Sequence, residues 1–291
     1  MDDAAAQLQA DLDARRVRRL FADERGPASV PQAYALQRRL RAVREARGEK
    51  VVGFKIGYTS PSVRKAGFRT MGIDHSVHGY LWDTEQRPSG AHIDHRRFGI
   101  EGELAVTLLS TESDDVAQWE VEYEPIIEVH SMGMDGPENG LRGLQLIGTN
   151  CIHAGVVRAR EEEEAPAAAR SRKKKRCRLA DVPLDSEMVV HIAGEDIERV
   201  TLTELQVEGE YGPVATMRWL LETLKAEGNG DERLLRPGAL VLCSTPGGLY
   251  PVRPGQETVV TFEGAESTCF ANTADDPVGA AATTAATTAK L

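Results

Sequence analysis

Cysteine, positive charge and long apolar runs are all scarce in this chain, and each shortage removes a class of function. Its 291 residues include four cysteines, Cys151, Cys177, Cys243 and Cys269. They lie far apart, without the C-x-x-C spacing of a zinc or redox site and without the pattern of a disulfide framework, so reduced, incidental thiols are expected. Runs such as VVHIA and ALVLC stop far short of the roughly 20 apolar residues that a membrane helix needs. The N-terminal MDDAAAQLQADLDARR is acidic, with no apolar segment behind it. A cytoplasmic protein without a membrane partner is expected. The 35 Lys and Arg are outnumbered by 45 Asp and Glu, a formal net charge of -10. A phosphate backbone is bound through a surplus of Lys and Arg, so nucleic acid is not the expected partner. Neither a dinucleotide-binding nor a P-loop glycine pattern occurs.

What is present begins with helical periodicity. AAAQLQADLDARRVRRLFADE carries Leu8, Leu12, Val17, Leu20 and Phe21 at mixed spacing, and SVPQAYALQRRLRAVREARGEK repeats the pattern behind a Ser29 cap, with Gly48 as its stop. KVVGFKIGYTS then changes period to a short strand broken by Gly53 and Gly57. From about residue 90 strands are expected in ELAVTLLS, EYEPIIEVHS, LQLIGTNCIHAGVV, EMVVHIAGEDIERVT, GALVLCSTPGGLYPV and ETVVTFEG. One helix, PVATMRWLLETLKAEG, interrupts them and stops at Gly228. Many strands with few helices predict an α+β fold. It divides into a small helical N-terminal domain with a strand leading out, residues 1–80, and a larger mixed β-sandwich or roll domain, residues 81–270. Within the second, residues 158–178 set Glu161 to Glu164 against a basic block from Arg170 to Arg176, a composition that predicts a charged, mobile insertion. Residues 271–291 read as a disordered, low-complexity tail.

The chemistry is concentrated in two of the strands. Side chains alternate along a strand, so in FGIEGELAVTLLS Glu101 and Glu103 leave the same face, roughly 6.5 to 7 Å apart at the backbone. The pair is either two solvent-facing acids that keep an edge strand from aggregating or two ligands of one cation. Gly102 between them leaves room for close approach by another strand or a ligand. Glu128 is a lone acid in the apolar run PIIEV, and a buried carboxylate is costly unless paired, hydrogen-bonded or bound to metal. Three carboxylates from two strands, with no cysteine cluster near, suit a hard divalent cation in octahedral oxygen coordination, Mg2+ first and Mn2+ as the alternative. Such a site leaves up to three positions for water or substrate, two of which a 2-oxo acid fills through its carboxylate and 2-oxygen. Lys55, isolated among apolar residues and followed by the hydroxyls of Thr59 and Ser60, is either a proton carrier and enolate holder or a snorkelling surface lysine.

Five segments in order resemble a known family. AYALQRRLRAVREARGEKVVGFKIGYTS is similar to a first-domain helix followed by a G-[WY]-K-[IV]-G-x-T-S signature, and GIDHSVHGYLWD to the segment after it. IEGELAVTL resembles a metal-binding E-x-E strand, PIIEVHS the strand with the third ligand, and PGALVLCSTPGGLYPVRPGQETVVTF a closing hairpin. Together they resemble the 2-keto-4-pentenoate hydratase and 4-oxalocrotonate decarboxylase family of the fumarylacetoacetate hydrolase superfamily, over residues from about 5 to 265. The resemblance implies a catalytic domain of the fumarylacetoacetate hydrolase type and a homo-oligomer. It implies Glu101, Glu103 and Glu128 as metal ligands, Lys55 as the acid/base or enolate-holding residue with Asp74 as helper, and Thr59 and Thr245 at the substrate.

The activity it implies is a Mg2+-dependent hydratase of aromatic catabolism. Such a lyase adds or removes water at a 2-oxo or 2-hydroxy-dienoic acid through a metal-chelated enolate. The alternatives are decarboxylation of a related 2-oxo-enedioate, C–C bond hydrolysis with His130 or His153 as base, and a non-catalytic paralogue that binds a keto acid or supports a partner. Two stretches depart from the family pattern. Glu128-Val129-His130-Ser131-Met132 stands where E-[LV]-[IV]-D-[SA]-R is common, and Thr149-Asn150-Cys151 where an Asp-Asn pair is.

Overall fold

Two β-sheets packed face to face dominate the computed structural model of the chain, which describes residues 2–14, 26–59, 72–93, 98–131, 142–160 and 175–272. The described helices are α1 (Asp2–Asp13), α2 (Val30–Ala46), α3 (Arg142–Gly148) and α4 (Gly212–Glu227). The strands are β1 (Val51–Gly57), β2 (Val77–Trp82), β3 (Gln86–Arg87), β4 (Ala91–Ile93), β5 (Phe98–Ser110), β6 (Glu120–Ser131), β7 (His153–Val157), β8 (Lys175–Arg178), β9 (Glu187–Ile192), β10 (Glu195–Thr201), β11 (Gln206–Val207), β12 (Glu210–Tyr211), β13 (Leu240–Leu242), β14 (Tyr250–Pro251), β15 (Glu257–Phe262) and β16 (Ala265–Ala271). The larger sheet runs β2-β1-β13-β5-β6-β7-β3, with β14 also on β5 and β8 also on β6. The smaller runs β10-β9-β15-β16-β4, and β11 pairs with β12. The α+β class expected from the sequence is the class observed. Among the described residues no helix is long and apolar enough to cross a membrane.

Alternation along β5 and β6 sorts their side chains between two environments. Ile100, Leu104, Val106 and Leu108, with Ile127 and Val129, join one core with Met188, Val190, Val260 and Phe262 of the smaller sheet. Each such side chain fully buried contributes about 1.5–3 kcal/mol, which makes this contact the main cohesion between the sheets. The opposite face carries Glu101 and Glu103 of β5 and Glu128 of β6, beside the small cluster of Leu81, Ala105, Ile126, Val156, Leu240 and Leu242.

Gly102 points at the smaller sheet, where a Cβ would meet Val190 Cγ2 at 2.8 Å and Val260 Cγ1 at 3.2 Å. The room it leaves is therefore taken by a second sheet. We expect Gly102→Ala to lower stability by about 1–3 kcal/mol through overpacking, read as a lower urea midpoint that Val190→Ala partly restores. An unchanged midpoint would mean the sheets part freely there.

The structure bears on three sequence expectations. The boundary at residue 80 runs through β2, and β1 pairs in parallel with β13, Lys55 opposite Leu242. Phe54, Ile56, Tyr80 and Trp82 accordingly lie in the main core, while α1 and α2 share a cluster of their own built from Ala4, Ala5, Leu8, Leu36 and Leu40. LQLIGTNCIHAGVV is not one strand. Its first half is α3, whose Leu144, Leu146 and Ile147 pack with Ala33 of α2, and only His153–Val157 is extended. A left-handed turn separates the halves, with φ of 60°, 54° and 53° at Asn150, Cys151 and Ile152. Such backbone costs roughly 1–2 kcal/mol per residue, and the Asn150 side chain offsets part of it by accepting from Tyr80 N at 2.6 Å and donating to Tyr80 O at 2.8 Å. Finally, the end of the charged insertion is ordered as β8, with Arg176 Nε donating to Glu122 Oε1 of β6 at 2.8 Å. Residues 161–174 and 273–291, the rest of the insertion and nearly all of the tail, lie outside the described residues.

The helix ends match the sequence reading. The Ser29 side chain accepts from Gln32 N, and Gly228 ends α4 in the left-handed conformation at φ 66°. The four cysteines are free.

Candidate active site

Strand register brings the three glutamates together. Glu101 lies directly opposite Glu128 in the β5–β6 pair, and Glu103 follows one step along the same face. The edge-strand reading of the acids fails, because β5 is flanked by β13 and β6 and Glu103 is 1% exposed. Lys55, on β1 two strands away, reaches the cluster from the side. It is 3% exposed, with Nζ 3.2 Å from Glu128 Oε1, so it does not snorkel.

Two histidines complete the group. His130, two residues beyond Glu128 on β6, places Nε2 3.0 Å from Glu101 Oε2 and 3.4 Å from Glu128 Oε2. His153, at the start of β7 just after the left-handed turn, places Nδ1 2.7 Å from Glu128 Oε1. Its other nitrogen faces Glu85 Oε2 at 3.6 Å, and Glu85 Oε1 accepts from Arg44 Nη1 at 2.7 Å. A chain of polar contacts thus leads from Glu128 through His153, Glu85 and Arg44 back to α2.

The electrostatics follow from burying this set in a medium of low dielectric. Burial alone would raise the Glu128 carboxyl, but Lys55, then His130 and His153, outweigh it and hold the group well below the usual carboxylate range. Burial would lower the Lys55 ammonium, yet the carboxylates, Glu128 foremost, raise it above its ordinary value. Glu103 is pushed well up by burial, with the Glu128 and Glu101 charges adding to the effect. Burial also drives the neighbouring Cys151 thiol up to about 12, which removes a thiolate nucleophile at neutral pH.

The remaining expected site residues divide. Thr59 is buried, its hydroxyl 2.8 Å from the Ser244 hydroxyl. Thr245 donates from Oγ1 to Gly102 O at 2.9 Å and accepts from Gly247 N at 3.0 Å, so its hydroxyl ties the loop after β13 to the E-x-E strand. Asp74 is not brought into the cluster; its side chain is 77% exposed and faces His75. Ser244 and Glu85 were missed by the sequence reading. Ser244 lies next to Thr245 in the same turn, and Glu85 carries no signal of its own on a short 3-10 turn.

No protein-family model matches the chain. Over 77 residues it is 36% identical to the curated 4-oxalocrotonate decarboxylase of Pseudomonas putida, a match that spans 25% of this chain and 28% of that protein. Among solved structures, 4-oxalocrotonate decarboxylase from Pseudomonas putida G7, complexed with magnesium and adipate, superposes with a TM-score of 0.72 at 20% identity, covering 92% of this chain and 96% of that one. The fold is that of 4-oxalocrotonate decarboxylase. The same decarboxylase complexed with calcium and acetate superposes with a TM-score of 0.66 over the same shares.

On this decarboxylase fold, the donor chemistry of the cluster fits a divalent cation. Glu103 Oε2 and Glu128 Oε2 are buried without a hydrogen-bond partner among the described residues. Orphaned carboxylate oxygens at such depth are expensive, and Lys55 supplies only one positive charge against three glutamates. One donor atom each from Glu101, Glu128 and His130 falls within 4.8 Å of the other two.

Proposed function

We propose that the chain is a divalent-metal-dependent decarboxylase of a 2-oxo-enedioate, in preference to the hydratase that the sequence suggested first. The observation that carries this reading is the buried Lys55–Glu128 pair inside a cluster whose two histidines are both engaged with carboxylates. Hydration needs a base free to work on water, whereas decarboxylation needs an electron sink and a cation to meet the charge that arrives there. The likeness to 4-oxalocrotonate decarboxylase, in fold and over the matched 77 residues, supports the same choice.

Glu101, Glu103 and Glu128 would hold the ion, Mg2+ or Mn2+, which when bound supplies Lewis acidity toward the 2-oxo group. The bond to the distal carboxylate breaks, CO2 leaves, and the electron pair runs along the conjugated chain to the 2-oxygen. Lys55 Nζ, kept protonated by Glu128, meets that oxygen and gives it the proton, yielding a 2-hydroxydienoic acid. Because its pKa is raised, Lys55 serves this step as a proton donor and not as a free-amine base. Thr59 and Ser244, two buried hydroxyls in mutual contact, are candidates for holding the substrate chain. The partner in this reading is a small 2-oxo acid, and the family resemblance adds a homo-oligomer.

The deciding assay supplies a six-carbon 2-oxo-enedioate with Mg2+ or Mn2+ and follows CO2 release alongside water addition to the corresponding 2-hydroxydienoate. CO2 release is expected. Water addition alone would restore the hydratase, and neither reaction in a protein that binds the ion would point to a keto-acid-binding protein. Saturation with metal at about 100 times Kd is expected to stabilise the native chain by about 2.7 kcal/mol, and Glu101→Gln to lose most of that gain together with activity. Retained turnover in Glu101→Gln with weakened metal would leave the cation a structural role only.

A further inference from the structure

Resting on the reading that the carboxylates hold a dication, we propose that His130 Nε2 is itself a ligand of that ion, beside Glu101 and Glu128. The mixed nitrogen and oxygen donor set then favours Mn2+ over Mg2+. Strand geometry sets the arrangement. Glu128 and His130, two apart on β6, leave one face of the sheet, and Glu101 stands opposite Glu128 on β5. The resulting Nε2 to oxygen distances are 3.0 and 3.4 Å. Octahedral donors about 2.1 Å from a metal lie about 3.0 Å apart along each edge, so Nε2 stands at about an octahedral edge from each of the two oxygens.

The imidazole is buried at 3% exposure, and its Nδ1 meets no hydrogen-bond partner among the described residues. In the contact with Glu101 the carboxylate accepts, so Nε2 carries the hydrogen there; ligation requires that hydrogen on Nδ1, and nothing described on the Nδ1 side opposes the shift. Oxygen-only sets suit Mg2+, whereas imidazole suits the first-row transition ions. His130 thus brings to the cluster a donor that discriminates between ions, which the glutamates do not. His130 therefore adds to the three glutamates proposed to hold the ion, of which Glu101 and Glu128 already stand in one close triplet with it and Glu103 does not.

The test uses the full chain loaded with Mn2+ and pulsed electron paramagnetic resonance. A directly bound imidazole is expected to show 14N coupling to Mn2+, to change to the 15N pattern in protein labelled with [15N]histidine, to vanish in His130→Gln and to persist in His153→Gln. Metal competition should show His130→Gln losing roughly tenfold or more of the wild-type preference for Mn2+ over Mg2+. Bound Mn2+ without nitrogen coupling, or coupling that survives in His130→Gln, overturns the assignment while the dication reading stands. Absence of Mn2+ binding by the wild-type chain overturns both. Should His130→Gln not fold, the labelled wild-type spectrum and His153→Gln still decide whether an imidazole binds and whether it is His153.

Discussion

Lys55→Met is expected to cut turnover by about two orders of magnitude or more and, unlike an ordinary active-site substitution, to lower stability by about 3–5 kcal/mol. Both effects come from one contact. Lys55 Nζ lies 3.2 Å from Glu128 Oε1, and both side chains are buried. Methionine fills a similar volume but leaves Glu128, the most deeply buried of the three glutamates, without the cation that does most to hold its pKa down. The carboxyl then either stays charged at high cost or takes up a proton. Among the described residues lysine is also the one fixed positive charge in contact with the three carboxylates, so added Mn2+ should recover more stability in Lys55→Met than in the wild type. Urea midpoints with and without metal, set beside single-turnover CO2 release, separate the two roles. A variant with wild-type stability would show that the buried pair has little net worth, and one with wild-type rate would remove Lys55 from the chemistry.

Much of this site is legible in the sequence because strand periodicity is a local property. Two glutamates separated by one glycine must share a face, and an acid between Ile127 and Val129 must be buried or exceptional. The structure adds that the two strands are adjacent and that Glu101 meets Glu128, a register set by pairing along the whole length of β5. Longer-range features were not legible. The parallel pairing of β1 with β13 joins segments almost two hundred residues apart, a pairing that no local pattern announces, and β1 with β2 forms one flank of the larger sheet. The helical run at Leu144–Ile147 was misread because a short apolar stretch has the same appearance in a buried strand and a buried helix turn. His130 and His153 were ordinary strand histidines until the β6–β7 register, with its shift between Val129 and His130, set them against the carboxylates. Asp74 had only its place in a motif to recommend it, and its side chain faces solvent.

Gly53→Ala is expected to be the most damaging single methyl that could be added to the chain near the site, at roughly 4 kcal/mol or more. The reason is backbone, not side-chain, crowding. Gly53 has φ of +155°, and a Cβ there would lie 1.7 Å from Leu240 O, with the carbonyl carbon and nitrogen of Leu240 at 2.6 and 2.8 Å. Gly53 also pairs directly with Leu240 across the β1–β13 ladder, at the register shift where β1 leaves regular pairing with β2. Neither strand can yield without opening that ladder, and Lys55 is two residues further along it. Loss of stability and loss of the Lys55–Glu128 contact should therefore come together. Gly238→Ala is the matching control: φ is +91°, but no heavy atom lies within 4 Å of the added carbon, so only the conformational cost of about 1 kcal/mol applies. Denaturation of the two variants side by side distinguishes strain from collision. If Gly53→Ala has a midpoint no lower than Gly238→Ala, β1 does not press against β13 as described, and the route by which Lys55 reaches Glu128 is wrong.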